Sequence, residues 1–343
     1  MTIRVGVIGC GMISLYHLIA WRRIQGVELA ALCDPDLDKA RARAAEFGVP
    51  KTYSSAESMM ESERLDAIDV ASPREYHALH VRLAAARGIP VLCQKPLTPS
   101  YEESVELAGE VAGRHRLMVH ENWRFRPYYR KVKEWLCEGR IGALRGATMK
   151  MRGSGFRPDA SGRYPALERQ PFMRDLPQLL VSEAMIHQLD VLRWLAGPLT
   201  VRYAALARVC PEIRGEDRAL ISMEAASGAP VLLDADAAAA GYPSRVADDL
   251  ELLGTIGTIR FRDMTLSMAS ESAPEELSYD FDKTYQASFD GCIGHFVEAL
   301  RTGRRFETDP TDNLETLRIV DDVYRVAGPI RNVVERAYAE SQG

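Results

Sequence analysis

The chain has 343 residues, 46% of them hydrophobic and 27% charged, with a formal net charge of -5. That length exceeds what one growing core usually fills, so two packed domains are expected, and the balance excludes collagen-like, low-complexity and disordered classes. A net negative chain without a basic footprint argues against a nucleic-acid partner held through its phosphates.

In chain order, residues 3–8 form an apolar run broken only by Arg4 and Gly6, which reads as a buried parallel strand. A helix follows Gly11. The pattern repeats with a strand at 27–33 and a helix at 36–47 closed by Gly48 and Pro50. It continues through 67–71, a helix at 76–87, 91–93, a helix at 101–114, and 117–120. Strands alternating with helices predict an α/β Rossmann domain, a doubly wound parallel sheet of about six strands over residues 1–121.

After a helix at 129–138 the rhythm changes. Strands are expected at 146–151, 201–209, 219–225, 231–237, 250–253 and 258–261, with helices at 179–195, 288–300 and 312–326. This predicts a second domain over 122–343, α+β, with a large open and mostly antiparallel sheet for substrate binding and oligomerisation. The segment 153–172 has little periodicity and carries Arg157, Arg163, Tyr164 and Arg169, so it is expected to be a functional loop.

The six cysteines, Cys10, Cys33, Cys93, Cys137, Cys210 and Cys292, are far apart and form no C-x-x-C pair, which reads as reduced thiols in the cytoplasm. The apolar stretch 5–21 is too short and too rich in glycine for a membrane span, and it lacks the charged leader of a signal peptide. No membrane partner is expected.

Between the first strand and the first helix stands Gly9-Cys10-Gly11-Met12-Ile13-Ser14, a G-x-G-x-x-S turn. Gly9 permits the tight turn, Gly11 lets backbone approach a pyrophosphate, and Ser14 is small enough for the helix to pack on the strand. The free N–H groups of the helix N-terminus suit a diphosphate. Asp34, just past the second strand, is placed to accept hydrogen bonds from a ribose and to repel the extra phosphate of NADP, so NAD is the expected cofactor.

Two further features carry chemistry. Lys95 lies at the carboxyl end of the fifth strand, the edge at which open α/β sheets bind ligands. On the helix at 179–195, Glu183, His187 and Asp190 follow i, i+4, i+7 spacing, which places all three on one face among apolar residues. A lysine and an imidazole are suited to take a hydroxyl proton while hydride leaves the carbon. A histidine and a carboxylate one turn apart also suit a metal, but no third protein ligand stands out, and none is assigned.

These residues, with Cys93-Gln94-Lys95-Pro96, Ser72-Pro73 and His77, Asn122-x-Arg124-Phe125-x-Pro127, Gly139-x-Ile141-Gly142 and Gly254-x-x-Gly257, resemble the family of glucose-fructose oxidoreductase, inositol dehydrogenase and MocA-like sugar dehydrogenases. The resemblance covers nearly the whole chain. It implies an NAD-dependent dehydrogenase acting on a sugar or polyol, with its active site between the two domains and a homodimer or homotetramer as its assembly. The implied catalytic residues are Lys95, His187 and Glu183. The implied cofactor contacts are Gly9, Cys10, Gly11, Met12, Ile13, Asp34, Ser72, Pro73, His77, Gln94, Lys95 and Asn122. The implied substrate contacts are Lys95, Arg124, Arg152, Glu183, His187 and Asp190.

Two departures are visible. The family usually has Glu-Lys-Pro where this chain has Gln94-Lys95-Pro96, and Asp where it has Glu183. The Cys-Gln-Lys-Pro variant suggests an aldose 1-dehydrogenase that makes a lactone, for apiose or a similar pentose. The alternatives are an inositol or keto-sugar-forming dehydrogenase, a redox-neutral NAD-using epimerase or glycosidase, and a non-catalytic NAD-binding regulator.

Overall fold

The computed structural model describes residues 2–270 and 274–333. By its contacts the chain divides into two compact units: residues up to Pro127 with Asp282–Glu315, and Tyr128–Phe281 with the chain from Thr316 onward. The first unit builds a six-stranded sheet, all parallel, in the order β3-β2-β1-β4-β5-β6. Its strands are β1 (Ile3–Ile8), β2 (Val27–Cys33), β3 (Thr52–Tyr53), β4 (Ala67–Val70), β5 (Val91–Gln94) and β6 (Leu117–His120). Between them run α1 (Ser14–Arg23), α2 (Leu37–Phe47), α3 (Ala56–Ser62), α4 (His77–Ala85) and α5 (Tyr101–Val111).

Local chemistry explains these boundaries. Asp36 caps α2 by accepting the N–H groups of Asp38 and Lys39, and Gly48 closes it in the left-handed region at φ 68. Ser55 and Ser100 cap α3 and α5 in the same way. β3 and α3 are too short to show a period in the sequence. The order reverses at β1, flanked by β2 and β4, and that reversal opens the crevice at the carboxyl edge where ligands of doubly wound sheets bind.

The second unit is α+β as expected. Its sheet has nine strands in the order β14-β13-β12-β11-β7-β10-β9-β8-β15. They are β7 (Leu144–Arg152), β8 (Leu199–Arg208), β9 (Arg218–Ala225), β10 (Pro230–Asp236), β11 (Ala247–Gly254), β12 (Gly257–Arg262), β13 (Thr265–Ser270), β14 (Glu275–Ser278) and β15 (Arg331–Asn332). Pairing is antiparallel except between β7 and β10 and between β8 and β15. Side chains alternate: Ala147, Met149 and Met151, Ala219, Ile221 and Met223, and Val231, Leu233 and Ala235 are buried on one face. The other face leaves Tyr203, Leu220 and Leu232 exposed. The helices of this half of the chain are α6 (Pro127–Cys137), α7 (Pro165–Arg169), α8 (Ile186–Ala196), α9 (Phe281–Thr302) and α10 (Pro310–Ala327).

The expected division at residue 121 needs correction, because α9 returns to the first unit. Phe289, Cys292, Ile293, Phe296 and Val297 join Val5, Val7, Leu18, Trp21, Leu32, Leu92 and Met118 in one buried cluster. Each large side chain so buried contributes about 1.5–3 kcal/mol. The sequence shows that α9 has an apolar face but not which core receives it.

The segment 153–172 is more ordered than an irregular loop. Its backbone bonds to Asp236, Ala237 and Pro243, Phe156 and Leu167 are buried, and α7 lies within it. It helps line an open cavity of about 560 Å³ with Arg157, Asp159, Tyr242 and Ser244. Among the described residues no helix is long and apolar enough to cross a membrane.

Candidate active site

The turn after β1 has the geometry its glycines suggest. Gly9 sits at φ 100, and a Cβ there would stand 2.6 Å from the Ala71 carbonyl. Gly11 is the opposite case, since a Cβ on it would meet nothing within 4 Å. The first glycine lets two loops touch, and the second keeps backbone open toward a diphosphate. Ser14 is buried and its hydroxyl donates to the Gly11 carbonyl at 2.7 Å. Met12 is exposed, and Ile13 stands at the N-terminus of α1.

Asp34 is drawn onto this turn: Oδ2 accepts the Cys10 N–H at 2.8 Å and Oδ1 accepts the Asp36 N–H at 2.9 Å. The carboxylate is thereby oriented at the end of β2, with lone pairs left for ribose hydroxyls. Burial, and then the Asp34 charge, push the Cys10 thiol up to about 12, so it stays neutral beside a diphosphate site. The open backbone at Gly11, the helix N-terminus and the oriented carboxylate together fit a dinucleotide.

Ser72, Pro73, Gln94 and Lys95 also stand at the carboxyl edge, past the ends of β4 and β5 or at them. The Lys95–Pro96 peptide is cis. Three residues expected as contacts in this unit already have protein partners. His77 is buried with both ring nitrogens on backbone carbonyls, Nε2 at 2.8 Å from Ser72 and Nδ1 at 2.9 Å from Pro96. It braces the two loops together, and burial holds its pKa below the ordinary value. Asn122 is buried and its Nδ2 donates to Ser288 of α9 at 2.8 Å. Arg124 is 1% exposed and its guanidinium binds Asp312 at 2.9 Å and approaches Glu307. The last two tie the returning α9–α10 segment to the unit, because a buried polar group has to be paired.

In the second unit the expected regular helix at 179–195 is two pieces. A π-turn spans Leu180–Ala184, with the Met185 N–H reaching the Leu180 carbonyl at 2.7 Å, and α8 starts at Ile186. The wider turn changes the phase by about one residue, about 100°. Glu183 thus lies in the π-turn and His187 in the first turn of α8. Glu183 is half-buried, His187 is 7% exposed, and Asp190 is fully buried. Asp190 accepts the Thr316 hydroxyl at 2.9 Å and an Arg193 N–H at 3.5 Å, so it anchors α8 to α10. Arg152 is likewise occupied: its guanidinium donates to the Asp234 carbonyl at 2.6 Å and pairs with the Asp234 carboxylate across β7 and β10.

The π-turn is maintained by residues that the sequence reading missed. Glu216 is buried, and its carboxylate accepts the N–H groups of Val181 at 3.0 Å and Leu179 at 3.3 Å. Tyr324 donates to Glu216 at 2.6 Å and accepts the Ser182 N–H at 3.2 Å. Burial raises the pKa of both Glu216 and Tyr324. Gly215 admits the contact, since a Cβ there would stand 2.7 Å from Leu179 Cβ. In the first unit, Asp69, His17 and Trp21 were also missed, although a carboxylate inside the apolar strand Ala-Ile-Asp-Val announces a buried partner. Among the described residues no group of three or more His, Cys, Asp or Glu is arranged to hold a metal.

Comparison with known proteins agrees with this geometry. A family model described as an oxidoreductase family with an NAD-binding Rossmann fold, GFO/IDH/MocA, matches residues 3–122, and one for the GFO/IDH/MocA C-terminal domain matches residues 129–260. The chain is 34% identical to a D-apiose dehydrogenase of Paraburkholderia graminis, with 95% of this chain and 88% of that one covered. It is 27% identical to an inositol 2-dehydrogenase of Saccharopolyspora erythraea, over 88% of this chain and 86% of that one. Among solved structures, an oxidoreductase from Agrobacterium radiobacter in complex with NAD+, L-tartaric acid and magnesium superposes with a TM-score of 0.88 at 26% identity, over 95% of this chain and 96% of that one. The glycine turn, the parallel sheet and the open mixed sheet thus lead to one conclusion: the chain belongs to the GFO/IDH/MocA family of oxidoreductases, and its first unit is an NAD-binding Rossmann domain.

Proposed function

We propose that the chain oxidises a hydroxyl of a sugar or polyol with NAD, and that its substrate is D-apiose or a similar pentose, taken at the anomeric carbon to give a lactone. The observation that carries this reading is the 34% identity to D-apiose dehydrogenase over 95% of the chain. The inositol 2-dehydrogenase relatives support the broader class of cyclic polyhydroxy substrates. In the proposed reaction the anomeric C–H bond breaks as hydride leaves, the O–H bond gives up its proton, and the carbon–oxygen double bond of the lactone forms.

When bound, NAD accepts the hydride. Lys95 and His187 are assigned to proton transfer and to holding the reacting hydroxyl, with Glu183 contacting substrate or orienting the pair. The cofactor contacts in this reading are the 9–13 turn, Asp34, Ser72, Pro73, Gln94 and Lys95. His77, Asn122, Arg124, Arg152 and Asp190 are assigned to the framework by the bonds they already make. The reading also takes the protein as a cytoplasmic homodimer or homotetramer, with the exposed Tyr203, Leu220 and Leu232 on the open sheet face as its pairing surface.

A panel of D-apiose, other aldoses, inositols and sugar acids with NAD, followed by NADH absorbance, tests the substrate assignment. Turnover highest on D-apiose is the expected result. Highest turnover on an inositol would replace the pentose, and product formation without net NADH would replace dehydrogenation by a redox-neutral reaction.

A further inference from the structure

Beneath Lys95 the first unit buries a polar chain that hydride transfer does not itself use. Asp69, on β4, is fully buried, and its Oδ2 receives the Trp21 indole N–H at 2.6 Å and faces His17 Nδ1 at 2.8 Å. The other ring nitrogen of His17, Nε2, lies 3.1 Å from Gln94 Nε2. Gln94 Oε1 in turn accepts the backbone N–H of Lys95 at 2.8 Å. His17 is fully buried and Gln94 is 7% exposed, so water does not compete for these groups.

The protons of this chain are ordered by necessity. A backbone N–H can only donate, so the oxygen of Gln94 has to face Lys95 and its nitrogen has to face His17. An amide nitrogen also only donates, so His17 Nε2 must present its lone pair. The ring proton then sits on Nδ1, where Asp69 accepts it. The remaining groups around the ring are His120 from β6, with ring centroids 4.3 Å apart, and Phe289 from α9 at 5.4 Å. Asp69 and His120 are the titratable groups facing His17 across these contacts.

We propose that His17 is a positioning residue for Lys95, acting through Gln94, and that glutamine rather than glutamate at 94 holds its imidazole neutral. The first half rests on the assignment of Lys95 to proton transfer above. With glutamate at 94, one carboxylate oxygen still accepts the Lys95 N–H, but the other faces His17 Nε2 and calls for a proton between them. The ring then lies between two carboxylates and becomes an imidazolium. Glutamine removes that titration from the foot of the strand end that carries Lys95.

NMR of the histidine ring nitrogens in labelled full-length protein, from about pH 6 to about pH 9, tests the charge state. Wild type is expected to show one ring proton on His17, on Nδ1, and Gln94→Glu is expected to show a proton on both ring nitrogens. A protonated ring in wild type, or a neutral ring in Gln94→Glu throughout, overturns the charge rule. For positioning, His17→Asn keeps a donor for Asp69 but loses the lone pair facing Gln94. It is expected to lower kcat on D-apiose about tenfold with KM for NAD unchanged, and Gln94→Glu to add an ionisation to the pH profile of kcat. If His17→Asn does not fold, the Gln94→Glu profile carries the test, and a profile like that of wild type overturns positioning. Wild-type kcat in His17→Asn beside a crippled Lys95→Ala overturns positioning alone. Normal turnover in Lys95→Ala overturns the assignment of Lys95, and positioning with it.

Discussion

The glycine turn after β1 and the π-turn before α8 both hold backbone in an unusual course, by opposite means. The first is written in consecutive residues, with Gly9 at φ 100, Ser14 bonding back to Gly11, and Asp34 reaching over from the next strand. The second depends on Glu216 and Tyr324, about thirty-five and more than a hundred residues away. A turn built from its own residues can be read from a short stretch of sequence. A turn built by distant partners cannot, because nothing near Leu180–Ala184 departs from an ordinary amphipathic helix.

The largest effect is expected at the two proposed proton carriers: Lys95→Ala and His187→Ala should each lower turnover at least about a hundredfold, as measured by NADH formation. Next is Gly9→Ala, which puts a Cβ at 2.6 Å from the Ala71 backbone and adds strain of about 1–3 kcal/mol. It should weaken NAD binding in a titration and also lower stability, whereas Gly11→Ala, whose Cβ meets nothing in the protein, should weaken NAD binding alone; wild-type affinity and stability in Gly9→Ala would show that the loop contact is dispensable.

Glu216→Gln tests the distant support. It places an amide nitrogen against the Leu179 N–H, and it should cost about 1–3 kcal/mol in denaturant unfolding. Glu183→Gln, at a half-buried position, should cost less. If the order is reversed, the π-turn does not depend on Glu216 as described.

The smallest effect is on acid stability. Burial, and then the neighbouring His77, lower the His80 pKa from 6.5 to about 4, and its Nδ1 stands 3.1 Å from the Ser72 hydroxyl. The unfolded chain therefore takes up a proton that the folded one refuses. This contribution is complete above about pH 6.5 and is lost as pH falls toward about 4. His77 and His115, also lowered, act in the same direction. His80→Gln should make stability fall less steeply over that interval, and an unchanged slope would refute the role of His80.

Most of the architecture was legible in the sequence because hydrophobic period is a local property. The strands from β1 to β6, apart from the two-residue β3, and the change of rhythm after residue 121 follow from it. The turn and the positions of Asp34 and Lys95 were legible because each lies at a strand end that the pattern defines. The protein partners of His77, Asn122, Arg124, Arg152 and Asp190 were not legible for one shared reason: a polar side chain in a motif looks the same whether it faces a ligand or a distant partner. The structure supplies those partners: the carbonyls of Ser72 and Pro96, then Ser288, Asp312, Asp234 and Thr316.

The dinucleotide turn on a parallel sheet and the open mixed sheet after it are already written in the residues, since glycine placement and apolar period are set residue by residue. That α9 returns to the first core, that a π-turn precedes α8, and that Gln94 turns inward to His17 emerges only in the folded chain. Those outcomes depend on which buried polar and apolar groups meet across long separations, and pairing at a distance leaves no period in the chain.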